Sequence, residues 1–290
     1  MRPMYPERCL KSRTPPASSG CRLERPARRG SAGGFTLIEM VVVMTITGIL
    51  VAIVAVFIQR PMQGLVDSTR RAALTDAADT AVRRMSRDIQ RALPNSVRVV
   101  QSKASWYIEF LPVLAAGRYC EAADCGAAPL TAGVPLNSFS FANPAPVLNP
   151  VPANAEVAIY NLGSDPLNAY AGGNSVALAS IAGNLITLGG SKAFPFSSPG
   201  KRFFIIGSPV SYVCTSGGTL TRVSGYVKQA TQPTTALPAG SLLSGNVASC
   251  AVNYQQSAID QYGLLYLSLQ LSQNGENVTL THAIQINNTP

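Results

Sequence analysis

The sequence predicts an α+β protein: one long N-terminal pilin-length helix, apolar in its first half and amphipathic in its second, packed on a β-rich head. Three observations predict it. An uninterrupted apolar run comes first, a spacing of three and four comes next, and short alternating runs broken by 24 Gly and 21 Pro fill the rest. At 290 residues, 47% hydrophobic and 13% charged, the chain carries enough apolar material for a folded head and too little charge for disorder over most of its length.

The first element, residues 1–34, is rich in Pro, Arg and Ser and has no periodicity. It holds eight of the 23 basic residues and two of the 14 acidic ones. The formal charge of +9 therefore falls to +3 for the remainder of the chain. With no basic run interleaved with aromatics, the body of the chain lacks the footprint of a nucleic-acid binder, and no nucleic acid is expected as a partner.

The second element, 35–59, contains Met40–Ile58, nineteen residues without a charge and long enough to cross a bilayer core. The basic residues ahead of it place the N-terminus in the cytoplasm and export the chain beyond Arg60. A cleaved secretory signal would have a core of about 7–15 residues ending in small side chains. Phe57-Ile58-Gln59-Arg60-Pro61 is no such site.

Just ahead of this run the chain reads Gly33-Gly34-Phe35-Thr36-Leu37-Ile38-Glu39. This resembles the type IV prepilin signal, over seven consecutive positions and in the setting of a basic leader and an apolar run. The resemblance implies that a membrane prepilin peptidase cuts between Gly34 and Phe35, N-methylates Phe35 and leaves the apolar helix on the mature subunit. Residues 1–34, a long leader for that family, are then removed. Glu39 matches the acidic residue of the family and is expected to act in assembly. Its pairing with the freed amine of Phe35, on the same or a neighbouring subunit, stands against a simpler role, an anion favoured by the helix dipole at about 0.3–1 kcal/mol.

The third element, 60–94, is an amphipathic stalk. Leu65, Val66, Ala73, Leu74, Ala77, Ala81, Val82, Met85, Ile89 and Leu93 recur at helical spacing, with Arg and Asp between them, and Pro94-Asn95 gives a stop. Pro61 either kinks the helix or marks where it leaves the membrane.

The fourth element, 95–290, is the β-rich head. Strands are expected at 106–111, 157–162, 185–188, 203–206 and 210–214, and a hairpin at 265–286 turning on Asn274-Gly275. His282 falls on the apolar face of that hairpin and reads as a core or edge residue rather than a catalytic one. Residues 127–155 and 231–240 read as surface excursions. Loss of the leader removes Cys9 and Cys21. Four cysteines remain for an oxidising compartment, and of three possible pairings the simplest joins Cys120 to Cys125 and Cys214 to Cys250.

Gly189-Gly190-Ser191-Lys192 lacks the spacing of a phosphate loop, and Glu121, Asp124 and Asp165 are too dispersed for a calcium loop. No metal, no cofactor and no enzymatic activity are expected. Stretches 47–50, 84–98, 202–206, 209–214 and 220–226 are similar to the MshO family of MSHA pilus biogenesis proteins. That resemblance implies a minor pilin or pseudopilin that primes or tips a pilus. Its partners would be prepilin peptidase, other minor and major pilins, and the inner-membrane assembly platform. The localisation implied is the inner membrane with a periplasmic head, then the pilus. The alternatives are a J-type minor pseudopilin of type II secretion, a membrane-anchored periplasmic enzyme, and an adhesin or DNA-uptake subunit.

Overall fold

A computed structural model describes residues 34–122, 125–142, 148, 150–256 and 262–290, so Cys9, Cys21, Asp124 and the leader before Gly34 lie outside the described residues. The chain divides into two units, one ending at Gln59 and the other spanning Arg60–Pro290. The expected class holds: one long N-terminal helix followed by a β-rich body of two sheets.

The helix, α1, runs Leu37–Gln90 and stays helical through Pro61. In the first unit, Leu37–Ile58 has a mean hydropathy of 3.0 and none of it is buried. The polar groups inside this stretch are satisfied locally. Thr45 donates to the Val42 carbonyl at 2.9 Å and Thr47 to the Val43 carbonyl at 2.7 Å, so neither hydroxyl needs water.

In the second unit the buried stripe is Leu74, Ala78, Ala81, Val82, Met85 and Ile89. It starts later than the spacing suggests. Leu65 and Val66 are exposed because the sheet reaches the helix only from Arg71 onward, where the guanidinium meets Glu276 at 2.8 Å, and Ala73 and Ala77 are exposed because the buried face runs one position on, through Leu74 and Ala78. The helix also ends four residues before Pro94. Arg91 and Ala92 bond back to Asp88 and Ile89 in a tightened turn, and Ala92 then forms a bridge to Pro112. Leu93 donates to the Leu111 carbonyl at 2.8 Å, so pairing with an extended segment competes successfully with the last helical turn.

Among the described residues thirteen strands come after the helix: β1 Arg98–Ser102, β2 Ser105–Phe110, β3 Val113–Arg118, β4 Leu136–Ser140, β5 Glu156–Ile159, β6 Ser175–Ala182, β7 Leu185–Lys192, β8 Arg202–Ile206, β9 Val210–Thr215, β10 Gly218–Ser224, β11 Ser241–Gln256, β12 Tyr262–Gln273 and β13 Glu276–Asn287. The first sheet has the order β1-β2-β9-β10-β11-β12-β13, and the second β3-β8-β5-β6-β7-β4. Every pairing is antiparallel. Because β2 pairs directly with β9, the whole second sheet is an insertion between two neighbouring strands of the first.

The helix stripe packs on the first sheet with Ile108, Phe110, Tyr212, Leu220, Leu265, Leu267, Leu269, Leu271, Ile284 and Ile286. Asp88 fixes its rotation, accepting from Tyr212 Oη at 2.7 Å and from Arg222 Nε at 3.0 Å. The second sheet curls around its own core of Tyr119, Phe139, Phe141, Phe194, Phe203 and Ile205. Its two outer strands meet at a bridge between Tyr119 and Phe141, reinforced by Cys120 N donating to the Ser140 carbonyl at 2.9 Å, which brings the sheet close to a small barrel. Gly117 is required there: a Cβ would lie 2.6 Å from the Phe203 ring.

Residues 127–155 are therefore not a simple surface excursion. They contain β4 and the buried Leu130, Phe139 and Phe141, whose aromatic anchors outweigh a Pro-, Ala- and Asn-rich setting. Residues 143–147 and 149 of that stretch lie outside the described residues. The 231–240 segment carries no strand, and Gln232 within it is buried, donating to the Tyr107 carbonyl at 3.0 Å.

Burial raises the pKa of Tyr170, Tyr212 and Tyr226, with Asp88 adding to the rise at Tyr212 and Glu109 at the other two. An unfolded tyrosine ionises near pH ~10. The native state keeps its phenol protons where the unfolded state has lost them, so this stability is complete below that pH and is lost as the pH climbs above it. Thermal unfolding of the head at a series of alkaline pH values should show the midpoint falling once the pH passes about 10, together with a step of phenolate absorbance on unfolding as these buried phenols are released. Unfolding at alkaline pH with no such step would contradict this.

Candidate functional site

The N-terminal motif lies at the start of α1. Thr36 caps the helix: its carbonyl accepts from Glu39 N at 3.1 Å and Met40 N at 3.2 Å, and its hydroxyl oxygen accepts from Glu39 N at 3.3 Å. Thr36-Leu37-Ile38-Glu39 is thus spaced as a capping box, with Glu39 in the first turn where an anion is favoured. The sequence carried this signal, and a reading centred on cleavage passes over Thr36.

Gly34, Phe35, Leu37 and Ile38 are all exposed, Phe35 at 76%. A Cβ built on Gly34 would meet nothing within 4 Å. Nothing in the packing of the described residues requires glycine at that position. Glu39 is exposed and makes no ion pair among the described residues. Gly48, in the middle of the apolar stretch, also has open space at its Cβ, a notch where another backbone can approach.

The cysteines sit in the second unit. Cys120 is bonded to Cys125 and Cys214 to Cys250. The first bond lies beside the seam that closes the second sheet. The second ties the end of β9 to β11 across the intervening β9–β10 turn, where Cys250 N also donates to Ser216 Oγ at 3.3 Å. His282 stands opposite Leu267 on β13, half-buried on the core-facing side.

Of the residues weighed for other chemistry, Lys192 donates to the Gly172 carbonyl at 2.7 Å. Burial lowers its pKa, and the charge of Lys228 adds to the effect. Glu121 is paired with Lys201 at 3.2 Å. A cavity of about 260 Å³ is lined in part by Glu156, Tyr226 and Lys228. There Lys228 is paired with Glu156, and Ser175 Oγ contacts both, 2.7 Å from the carboxylate and 2.9 Å from the ammonium. Among the described residues no three His, Cys, Asp or Glu side chains gather as a metal site.

A second charged group, without a motif in the sequence, is buried inside the head. Glu109 is fully buried, and its Oε2 accepts from Arg98 Nε at 2.5 Å and its Oε1 from Tyr226 Oη at 2.9 Å. Arg98 also donates to the carbonyls of Ala230 at 2.6 Å and Gln229 at 2.9 Å, and it stacks 3.6 Å over the Tyr170 ring. This group ties β1 and β2 to the 225–240 loop. It is structural, touches no open surface at Glu109, and could have been suspected only from an acidic residue within the apolar run Trp106-Tyr107-Ile108-Glu109-Phe110.

Residues 29–55 match the family model described as the prokaryotic N-terminal methylation motif. No curated protein and no solved structure matches the chain. The matched segment, the exposed and capped Gly34–Glu39 and the unburied 22-residue apolar stretch after it support a type IV pilin-like protein with a membrane-anchoring N-terminal helix.

Proposed function

We propose that this chain is a minor pilin, made as a prepilin, cut between Gly34 and Phe35, methylated on Phe35 and assembled with other pilins into a type IV pilus of the MSHA kind. The observation that carries this reading is the methylation motif opening directly into a wholly exposed apolar helix that is covalently continuous with a folded head. An apolar surface of that length is stable only in lipid or against other helices. The same helix serves both settings, so one element anchors the subunit before assembly and builds the filament afterwards.

In this reading the basic leader stays cytoplasmic and the head faces the oxidising periplasm, consistent with two disulfides. Prepilin peptidase, the assembly platform and neighbouring pilins are the partners, and the role is structural rather than enzymatic. Pro61 withholds one backbone donor just past the apolar stretch, a weak point where the helix can bend as it leaves the membrane. The large inserted second sheet suits a low-abundance subunit better than a repeated shaft subunit, and the resemblance of the 202–226 strands to MshO points the same way.

Co-expression with a prepilin peptidase tests the reading. The expected product begins at Phe35 by intact mass, heavier by one methyl group, and Gly34→Leu should leave the chain uncut. A wild-type chain that keeps residues 1–34 in the presence of an active peptidase would refute it.

A further inference from the structure

The last strand of the first sheet, β13, has a long edge that no strand among the described residues covers, and we propose that it pairs with β13 of a second copy of this chain to form a two-fold dimer of heads. The geometry begins at the hairpin. Asn274 and Gly275 both have positive φ, 50° and 87°, and Gln273 pairs with Glu276, which is a two-residue turn of the type that makes this closing pair hydrogen-bonded. Hydrogen-bonded and non-hydrogen-bonded pairs then alternate along the ladder. Glu276, Val278, Leu280, His282, Ile284 and Ile286 direct their backbone groups at β12. Asn277, Thr279, Thr281, Ala283, Gln285 and Asn287 direct theirs outward, where no strand among the described residues pairs with them.

Sheets normally protect such an edge with shortness, a bulge, proline or lysine. The other open edge, β1, has five residues and is held at Arg98 by the 229–230 carbonyls, and the second sheet's outer strands meet at the Tyr119–Phe141 bridge. β13 has none of these devices. It is twelve residues long, pairs with β12 without a register shift, contains no proline, lysine or arginine, and has only Glu276 and His282 as ionisable side chains. Glu276 lies at one end, already engaged by Arg71.

The strand is complementary to itself. An antiparallel pair centred on His282 uses all six outward residues: Asn277 faces Asn287 of the second copy, Thr279 faces Gln285, and Thr281 faces Ala283. No like charges meet among these pairs. On the core-facing side Leu280 faces Ile284 of the second copy and Val278 faces Ile286, so two residues that are only half-buried in the single chain gain apolar cover. The proposal rests on the backbone edge of β13 and not on the apolar Leu37–Ile58 stretch, so it does not depend on the pilin reading.

The test uses the full chain in detergent, with the association state measured by sedimentation over a range of protein concentrations. Thr281 and Ala283 are exposed, so charged side chains there leave the fold intact, which a circular-dichroism melt verifies. The wild type should dimerise. Thr281→Lys with Ala283→Lys places lysine against lysine at two symmetry-related positions and should weaken dimerisation roughly tenfold or more. Thr281→Lys with Ala283→Glu places each lysine against a glutamate and should restore it. Association driven by the apolar helix would be blind to these exchanges. A monomeric wild type, a double-lysine variant that still dimerises like the wild type, or a Lys/Glu variant no better than the double-lysine one would each overturn the proposal.

Discussion

Glu39→Val should enter the membrane and be cut after Gly34 as the wild type is, and yet be lost from complexes with other pilin subunits. Removing a charge from the start of an apolar helix makes insertion easier, since an ionised carboxylate costs about 2.5–3.5 kcal/mol at the centre of a membrane helix and less near its end. The bond proposed to be cut, between Gly34 and Phe35, lies on the other side of the Thr36 cap. The variant lacks the one carboxylate in Leu37–Ile58, a group left without an ion pair among the described residues. In the proposed assembly it meets the Phe35 amine of a neighbouring subunit in a low-dielectric setting, and the attraction sets the axial register of one helix against the next.

The competing account, an anion that only favours the helix dipole, predicts a loss of no more than about 1 kcal/mol and unchanged assembly. Thr36→Ala supplies the control. It removes the cap hydroxyl, at a cost of about 1 kcal/mol in helix stability, while leaving the carboxylate in place. Co-purification with partner minor pilins should recover Thr36→Ala nearly as well as the wild type and Glu39→Val hardly at all. Equal recovery of Glu39→Val would remove the residue from the assembly machinery.

Arg98→Met should be the most damaging single change within the head. It strands Glu109, fully buried, with only Tyr226 to answer its charge. Breaking a buried pair by removing one partner typically costs about 3–5 kcal/mol, because desolvation of the remaining ion is no longer offset. The change also frees the carbonyls of Gln229 and Ala230 and uncovers the Tyr170 ring. For a head of this size that is a fall in melting temperature of roughly 6–20 °C.

A second substitution should rescue the first. Arg98→Met combined with Glu109→Gln leaves an uncharged acceptor facing the Tyr226 hydroxyl and should recover a good part of the loss, since the cost lies in an unpaired charge rather than in missing bulk. Calorimetric melts of the single and double variants decide it. A single variant within about 1 kcal/mol of the wild type, or a double variant worse than the single, would show that the charge pair is not what holds the 225–240 loop to β1 and β2.

Features whose cause is local could be read from the amino-acid order. Nineteen uncharged residues from Met40 to Ile58 can only be a helix that needs an apolar setting, and the Gly34–Glu39 motif is spelled in consecutive residues. The β12–β13 hairpin was equally legible, because Asn274-Gly275 supplies two positive φ values and strict alternation places Leu265 to Leu271 on one face. Strands with weak local signals were not legible. Ser241–Gln256 is broken by register shifts and by Asn246 at a φ of 58°, and Val113–Arg118 and Ser175–Ala182 are rich in Ala, Gly and Ser, which carry little β preference.

Where the stalk begins to be covered depends on its neighbours in space, since Leu65 and Leu74 look alike in the pattern and differ in whether a sheet lies beside them. Long-range pairing likewise makes β3 to β8 an inserted sheet with its own aromatic core, because β2 and β9 are about a hundred residues apart in sequence and become neighbours only when the chain folds. The same holds for Glu109, whose partners come from β1 and the 225–240 loop. A buried charge is stable where distant segments converge to satisfy it, and convergence of that kind leaves no periodic trace in the chain.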